Sequence, residues 1–138
     1  MSAKRDDLLV ILAALPPLFL FVVSERQIAG AVGFPLDDSW IHLHFARNLA
    51  EGAGFSYNPG TLVAGSTAPL WTLLLAAGVS LGGATLWVVK GLGIACTLGA
   101  ALLTRRLVLA LGADRAPARV AAVALLWAGP VAWGALSG

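Results

Sequence analysis

The stretch APLWTLLLAAGVSLGGATLWVVKGLGIACTLGAALLT, Ala68 to Thr104, decides the fold, because it is apolar throughout except for Lys90. A run of this kind belongs in a bilayer, where about 20 apolar residues in a helix cross ~30 Å of hydrocarbon. It divides in two ways: two short spans joined at Gly82-Gly83, or a surface or re-entrant helix over 68–81 followed by one full span over 84–104. The placement of Lys and Arg selects the second, since the cytoplasmic ends of spans collect basic residues. With the N-terminus inside, that division puts Lys4, Arg5, Arg105, Arg106, Arg115 and Arg119 in the cytoplasm and leaves Arg26 and Arg47 outside. The first division nearly inverts the count.

Working outward, the spans fall at 8–23, 84–104 and 120–136, with 105–119 as a cytoplasmic loop. Leu8 to Val23 covers only ~24 Å at ~1.5 Å per residue, so the helix extends toward Ala29, with Glu25 and Arg26 among the headgroups. Pro16 and Pro17 should kink it. Ala29-Gly30-Ala31 resembles a signal-peptide cleavage site, but the proline pair and Glu25-Arg26-Gln27 argue against that reading. With 59% hydrophobic and 12% charged residues, the composition is that of a membrane protein. The fold class expected is all-α integral membrane, about three transmembrane helices plus one or two outer-face interfacial helices in a single unit. A formal charge of +2 without a basic, aromatic-laced patch excludes nucleic-acid binding. Cys96, the one cysteine, reads as a small buried thiol.

The segment 24–83 is expected outside the membrane, with interfacial helices over 39–51 and 68–81. On the first, Ile41, Leu43, Phe45, Ala46 and Leu49 make a broad apolar face, and His44, Arg47, Asn48 and Glu51 a polar one. Asp38 or Ser39 would cap it. Asp37 and Asp38 stand at the water–lipid boundary and are the candidate catalytic residues; a carboxylate there could accept a proton from a hydroxyl, or could merely cap the helix. His42 and His44 diverge by about 200° on a helix and cannot ligate one metal from a single face. His44 and Arg47 share the polar face and are candidates for binding a phosphate or an acceptor, although Arg47 also suits an i,i+4 pair with Glu51. Lys90, one turn inside a span, either snorkels to water or meets an anion. Gly91, Ala95 and Gly99 form a small-residue stripe open to partner helices. Trp40, Trp71, Trp87 and Trp133 suit an outer-interface belt, whereas Trp127 reads as mid-span packing.

An ordered set of motifs follows the first span: Leu36-Asp37-Asp38-Ser39-Trp40, Phe45-Ala46-Arg47-Asn48-Leu49, Gly54-Phe55-Ser56-Tyr57-Asn58-Pro59-Gly60 and Gly65-Ser66-Thr67-Ala68-Pro69-Leu70-Trp71. This order resembles the N-terminal part of the GT-C superfamily of polytopic membrane glycosyltransferases, most closely the bacterial arabinofuranosyl- and mannosyltransferase-like members. The resemblance covers about residues 8–138. It implies a bacterial cytoplasmic membrane, a polyprenyl-phosphate sugar donor, an acceptor hydroxyl on the outer face, and Asp37, with Asp38 second, as base or as part of a metal and acceptor site. A divalent metal is the cofactor class it leaves open. Ala68 departs from the family, where Ser is common. Ala135-Leu136-Ser137-Gly138 resembles a point before many further spans, so relative to the family the chain looks truncated, and a relic serving as a non-enzymatic scaffold subunit among other transmembrane helices is the alternative.

Overall fold

The computed structural model describes residues 3–137, and within them the structure is helical, with no strand longer than an isolated bridge between Ser56 and Leu62. Seven helices follow one another: α1 Ala3–Ala13, α2 Leu15–Ala29, α3 Asp37–Ala50, α4 Pro69–Gly82, α5 Leu86–Ala110, α6 Arg115–Trp127 and α7 Gly129–Ser137. Helices α1 and α2 form one apolar rod of 27 residues, Ala3–Ala29, and α5 has 25. At ~1.5 Å per residue both exceed the ~30 Å a span requires. A third candidate, α6 with α7, is bent by 57°. The bend falls where Ala128 is extended and Pro130 has no N–H to continue the helical ladder. Helix α4, at 14 residues, reaches only ~21 Å and is too short to cross.

Where a single unit was expected, the chain divides into two compact ones: Met1–Val32 with Ile94–Leu136, and Gly33–Gly93 with Ser137–Gly138. Gly138, the end of the stretch read as a break-off point, lies outside the described residues.

In the first unit, Val10 and Ala14 pack with Ala101, Ala122 and Leu126. Pro16 and Pro17 stand in the first turn of α2, after an interruption at Ala14. Pro17 has no N–H to give the Ala13 carbonyl, and the Trp127 indole N–H donates to that oxygen instead, at 2.9 Å. Trp127 is therefore a hydrogen-bonding residue and more than packing; in hydrocarbon a freed carbonyl needs such a partner. The segment 105–119 is also not a loop. Helix α5 continues to Ala110, with Arg105 buried beside Asp6 and Asp7 of α1, and the connection is 111–114. Gly112, at φ +87°, closes α5: its N–H donates to Leu109 and that of Ala113 to Val108, the paired bonds that a left-handed residue allows after a helix end. Cys96 is exposed, which overturns its expected burial.

In the second unit α3 and α4 pack together. Thr72, Leu75, Ala76 and Val79 are buried on α4, a spacing of i, i+3, i+4 and i+7 that makes one stripe. Ser39, His42, Leu43 and Ala46 are buried on α3 with the same spacing. Leu43, Ala46, Leu75, Ala76, Val79 and Val89 make the core.

Candidate functional site

Helix α3 is gripped on two sides, which the expected apolar and polar faces did not anticipate. Phe45 and Asn48 are buried on a second side, against the chain that follows the helix. The Asn48 amide donates to the Ser56 carbonyl at 2.9 Å and to the Tyr57 carbonyl at 2.8 Å. Assigned to the polar face, Asn48 is instead 3% exposed and holds the Phe55-Ser56-Tyr57 turn. Phe45 stacks near Phe55 and Tyr57, with ring centroids 5.1 and 5.8 Å away. Gly65 lies so close to the Phe45 ring that a Cβ would sit 2.9 Å from its Cζ, so this approach admits no side chain.

On the side facing α4, polar groups form a chain of hydrogen bonds. The Thr72 hydroxyl donates to the Ala68 carbonyl at 3.2 Å and stands 2.7 Å from Ser66 Oγ. Ser66 Oγ in turn stands 3.1 Å from His42 Nδ1. Through Ser66 and Thr72, His42 ties α3 to α4. Ser39, expected as a cap, is buried and donates to the Ser137 carbonyl.

The candidate carboxylates sit at the start of this clamped helix. Neither Asp38 nor Ser39 is the cap: Leu36 precedes the helix in extended conformation, and Asp37 and Asp38 are its first two residues. Both are exposed. Asp37 accepts the Asp38 backbone N–H at 3.0 Å, so it satisfies one open donor of the first turn, where negative charge is also favoured by the helix dipole. Asp37, Trp40, His44 and Arg47 fall at i, i+3, i+7 and i+10, within about 80° of one another around the axis. Asp38 lies about 100° away from Asp37. The helix thus groups Asp37, and not Asp38, with the other polar candidates, over a rise of ~15 Å from Asp37 to Arg47.

His44 Nε2 is 2.8 Å from the Tyr57 carbonyl, and Arg47 Nη2 is 3.1 Å from His44 Nδ1. A carbonyl only accepts and a guanidinium only donates, so His44 is the neutral imidazole protonated on Nε2. Arg47 turns back to His44 and, among the described residues, makes no ion pair with Glu51. Trp40, Leu43, His44, Arg47 and Ala84 line a groove of about 150 Å³. Lys90 is linked to this stripe through Phe34, whose ring meets that of Trp40 edge-on at 4.7 Å between centroids. It is 2% exposed, which rules out snorkelling, and its Nζ is 5.6 Å from the Phe34 ring centroid, where the ring face stabilises a cation.

Among the described residues no three His, Cys, Asp or Glu side chains gather as metal ligands; the carboxylates on offer at this site are Asp37 and Asp38. Gly91 and Gly99 face open space, with nothing within 4 Å of an added Cβ.

The polar residues that sequence reading missed are Asp6 and Asp7. Asp6 is 1% exposed; Arg105 approaches it at 3.4 Å and Asp7 at 2.9 Å, and Arg119 approaches Asp6 at 3.6 Å. The signal was available as acidic residues in an N-terminus otherwise basic, opposite two arginines read only as charges in a loop. No protein-family model, curated protein or solved structure matches the chain.

Proposed function

We propose that the chain is the N-terminal module of a multi-pass GT-C-type glycosyltransferase, which moves a sugar from a polyprenyl-phosphate donor to an acceptor hydroxyl on the outer face of a bacterial cytoplasmic membrane. One observation carries the reading: Asp37, Trp40, His44 and Arg47 share a stripe of a helix that is clamped on both other sides. A base, an aromatic platform, a neutral imidazole and a guanidinium are the groups that sugar transfer from a phosphate would use. Asp37 accepts the proton of the acceptor hydroxyl, Trp40 stacks on a sugar ring, and Arg47 faces the departing phosphate. Asp38 is secondary, because it points off the stripe. In this reading the N-terminus is cytoplasmic, while α3 and the short α4 lie at the outer interface as surface or re-entrant helices.

The test uses right-side-out vesicles holding the enzyme completed by any further spans, with a membrane-impermeant acceptor. Asp37→Asn should lower sugar transfer by about 10²–10⁴-fold, and Asp38→Asn less. Full activity in Asp37→Asn would remove Asp37 from the chemistry.

A second reading, a non-enzymatic scaffold subunit among other transmembrane helices, is favoured by the open space at Gly91 and Gly99. A Cβ at either position meets nothing in this chain, and a Leu there blocks close approach by another helix. Gly91→Leu and Gly99→Leu should therefore abolish co-purification of partner helices, with Leu103→Ile as the control because Leu103 is 63% exposed. Unchanged co-purification in both glycine variants would exclude docking through this stripe.

A further inference from the structure

The first unit carries a groove of about 490 Å³ between α1 and α6, lined by Leu9, Val10, Val120, Val123 and Ala124, with Arg119 beside them. Its walls are apolar and open: Leu9 is 41% and Val120 67% exposed. Along α6, from Arg119 to Ala124, it runs ~8 Å. Arg119 is only partly used by the protein. Its closest carboxylate oxygen, Asp6 Oδ1, is 3.6 Å away and beyond hydrogen-bond reach, Arg105 engages the other oxygen of Asp6 and Asp7, and the Arg119 side chain remains 32% exposed. The same end of the unit carries Lys4, Arg5, Arg105, Arg106, Arg115 and Arg119 against Asp6, Asp7 and Asp114, a surplus of three positive charges.

From this complementarity we infer that the α1–α6 groove is a binding site for one anionic phospholipid, with an acyl chain along Leu9, Val120 and Val123 and the phosphodiester on Arg119. A zwitterionic lipid offers the same chain, but its own cation offsets the phosphate charge at a basic end. A guanidinium with a free edge makes charge-assisted hydrogen bonds to phosphate oxygens. The apolar wall orients the chain and the arginine selects the headgroup. The site is distinct from the Asp37 stripe and uses none of its residues. It rests on the membrane reading given above.

The experiment is lipid counting by native mass spectrometry on the full chain in neutral detergent, with equimolar phosphatidylglycerol and phosphatidylcholine of identical acyl chains. Wild type should retain one phosphatidylglycerol about tenfold more strongly than phosphatidylcholine. Arg119→Gln should erase that preference, and Arg119→Lys should restore part of it. Val123→Trp, which fills the groove and leaves every charge in place, should abolish retention of both lipids. Arg26→Gln, at the end of α2, should behave as wild type. Val123→Trp also serves if Arg119→Gln disturbs Asp6 and fails to fold. Equal retention of the two lipids by wild type would overturn the inference. So would wild-type retention by Val123→Trp, which would mean that the basic end attracts headgroups without the groove, or a lipid-free dimer, which would mean that protein covers it. Recovery of the wild type in the soluble fraction of lysed cells would defeat the membrane reading itself, whereas membrane recovery without lipid preference defeats the lipid site alone.

Discussion

Asp6 and Asn48 are both almost wholly buried, at 1% and 3% exposure, yet the two units satisfy them by different chemistry. The first unit joins α1, α5 and α6 through full charges, Asp6 and Asp7 against Arg105 and Arg119. The second joins α3 to α4 and to the following turn through neutral donors and acceptors, His42 to Ser66 to Thr72 and Asn48 to two carbonyls. Ion pairs act over a longer range and tolerate the 3.4–3.6 Å separations seen around Asp6, but each partner becomes a liability once the other is removed. Neutral hydrogen bonds are short and directional, so they fix orientation closely and cost less to lose. A scaffold that must present Asp37 and Arg47 along one stripe is better served by the second kind. Helices that need only stay associated are served by the first.

The comparison breaks most sharply at Asp6. Asp6→Ala leaves Arg105, itself 4% exposed, with Asp7 alone, and should destabilise the protein by about 3–5 kcal/mol, read as a lowered thermal midpoint in detergent. Replacing Asp6 and Arg105 together by Leu and Met should cost less, because the two charges then left without these partners, Asp7 and Arg119, are 29% and 32% exposed and reach solvent, whereas Asp6→Ala alone weakens the pairing of a buried arginine. If the double replacement were as damaging as the single one, the ion cluster would be holding the unit by more than charge pairing. In the second unit, Asn48→Ala removes two hydrogen bonds and should cost about 1–3 kcal/mol. It should also raise amide exchange at Ser56 and Tyr57 selectively. Exchange rising uniformly over α3 would show that Asn48 supports the helix and not the turn. The smallest effect is expected at Trp127→Phe, which keeps the ring but leaves the Ala13 carbonyl unanswered. A loss of about 0.6 kcal/mol, typical of single hydrogen bonds between membrane helices, should appear in the same thermal measurement. A loss of several kcal/mol would mean that the proline break in α2 depends on this bond.

Some of this was legible in the chain itself. Ala84 to Thr104, and Leu8 to Val23 once extended toward Ala29, read as membrane-length helices because about twenty largely apolar residues have few other stable environments. The helices expected over 68–81 and 39–51 correspond to α4, Pro69–Gly82, and α3, Asp37–Ala50, the second beginning two residues earlier and so taking in both aspartates. The burial of α3 was misread because a helical wheel assumes one apolar side. Ser39, His42 and Asn48 are polar residues that become interior once specific carbonyls and hydroxyls meet them, and no periodicity records that. Arg105 and Arg119 were misplaced for a similar reason: a charge at a span end looks solvated until a partner from a distant part of the chain, here Asp6, is brought alongside.

From the sequence came the helical class, the apolar segments long enough to cross a bilayer, and the placement of His44 and Arg47 on one face of a single short helix, because these depend on local composition and on the fixed 3.6-residue repeat. Tertiary packing alone decided that α3 is clamped from two sides, that Lys90 is buried against Phe34, and that Trp127 answers the carbonyl freed by Pro17. Each of these is a contact between residues far apart in the chain, set by how helices pack, and side-chain pairing across packed helices leaves no repeat in the sequence from which it could be read.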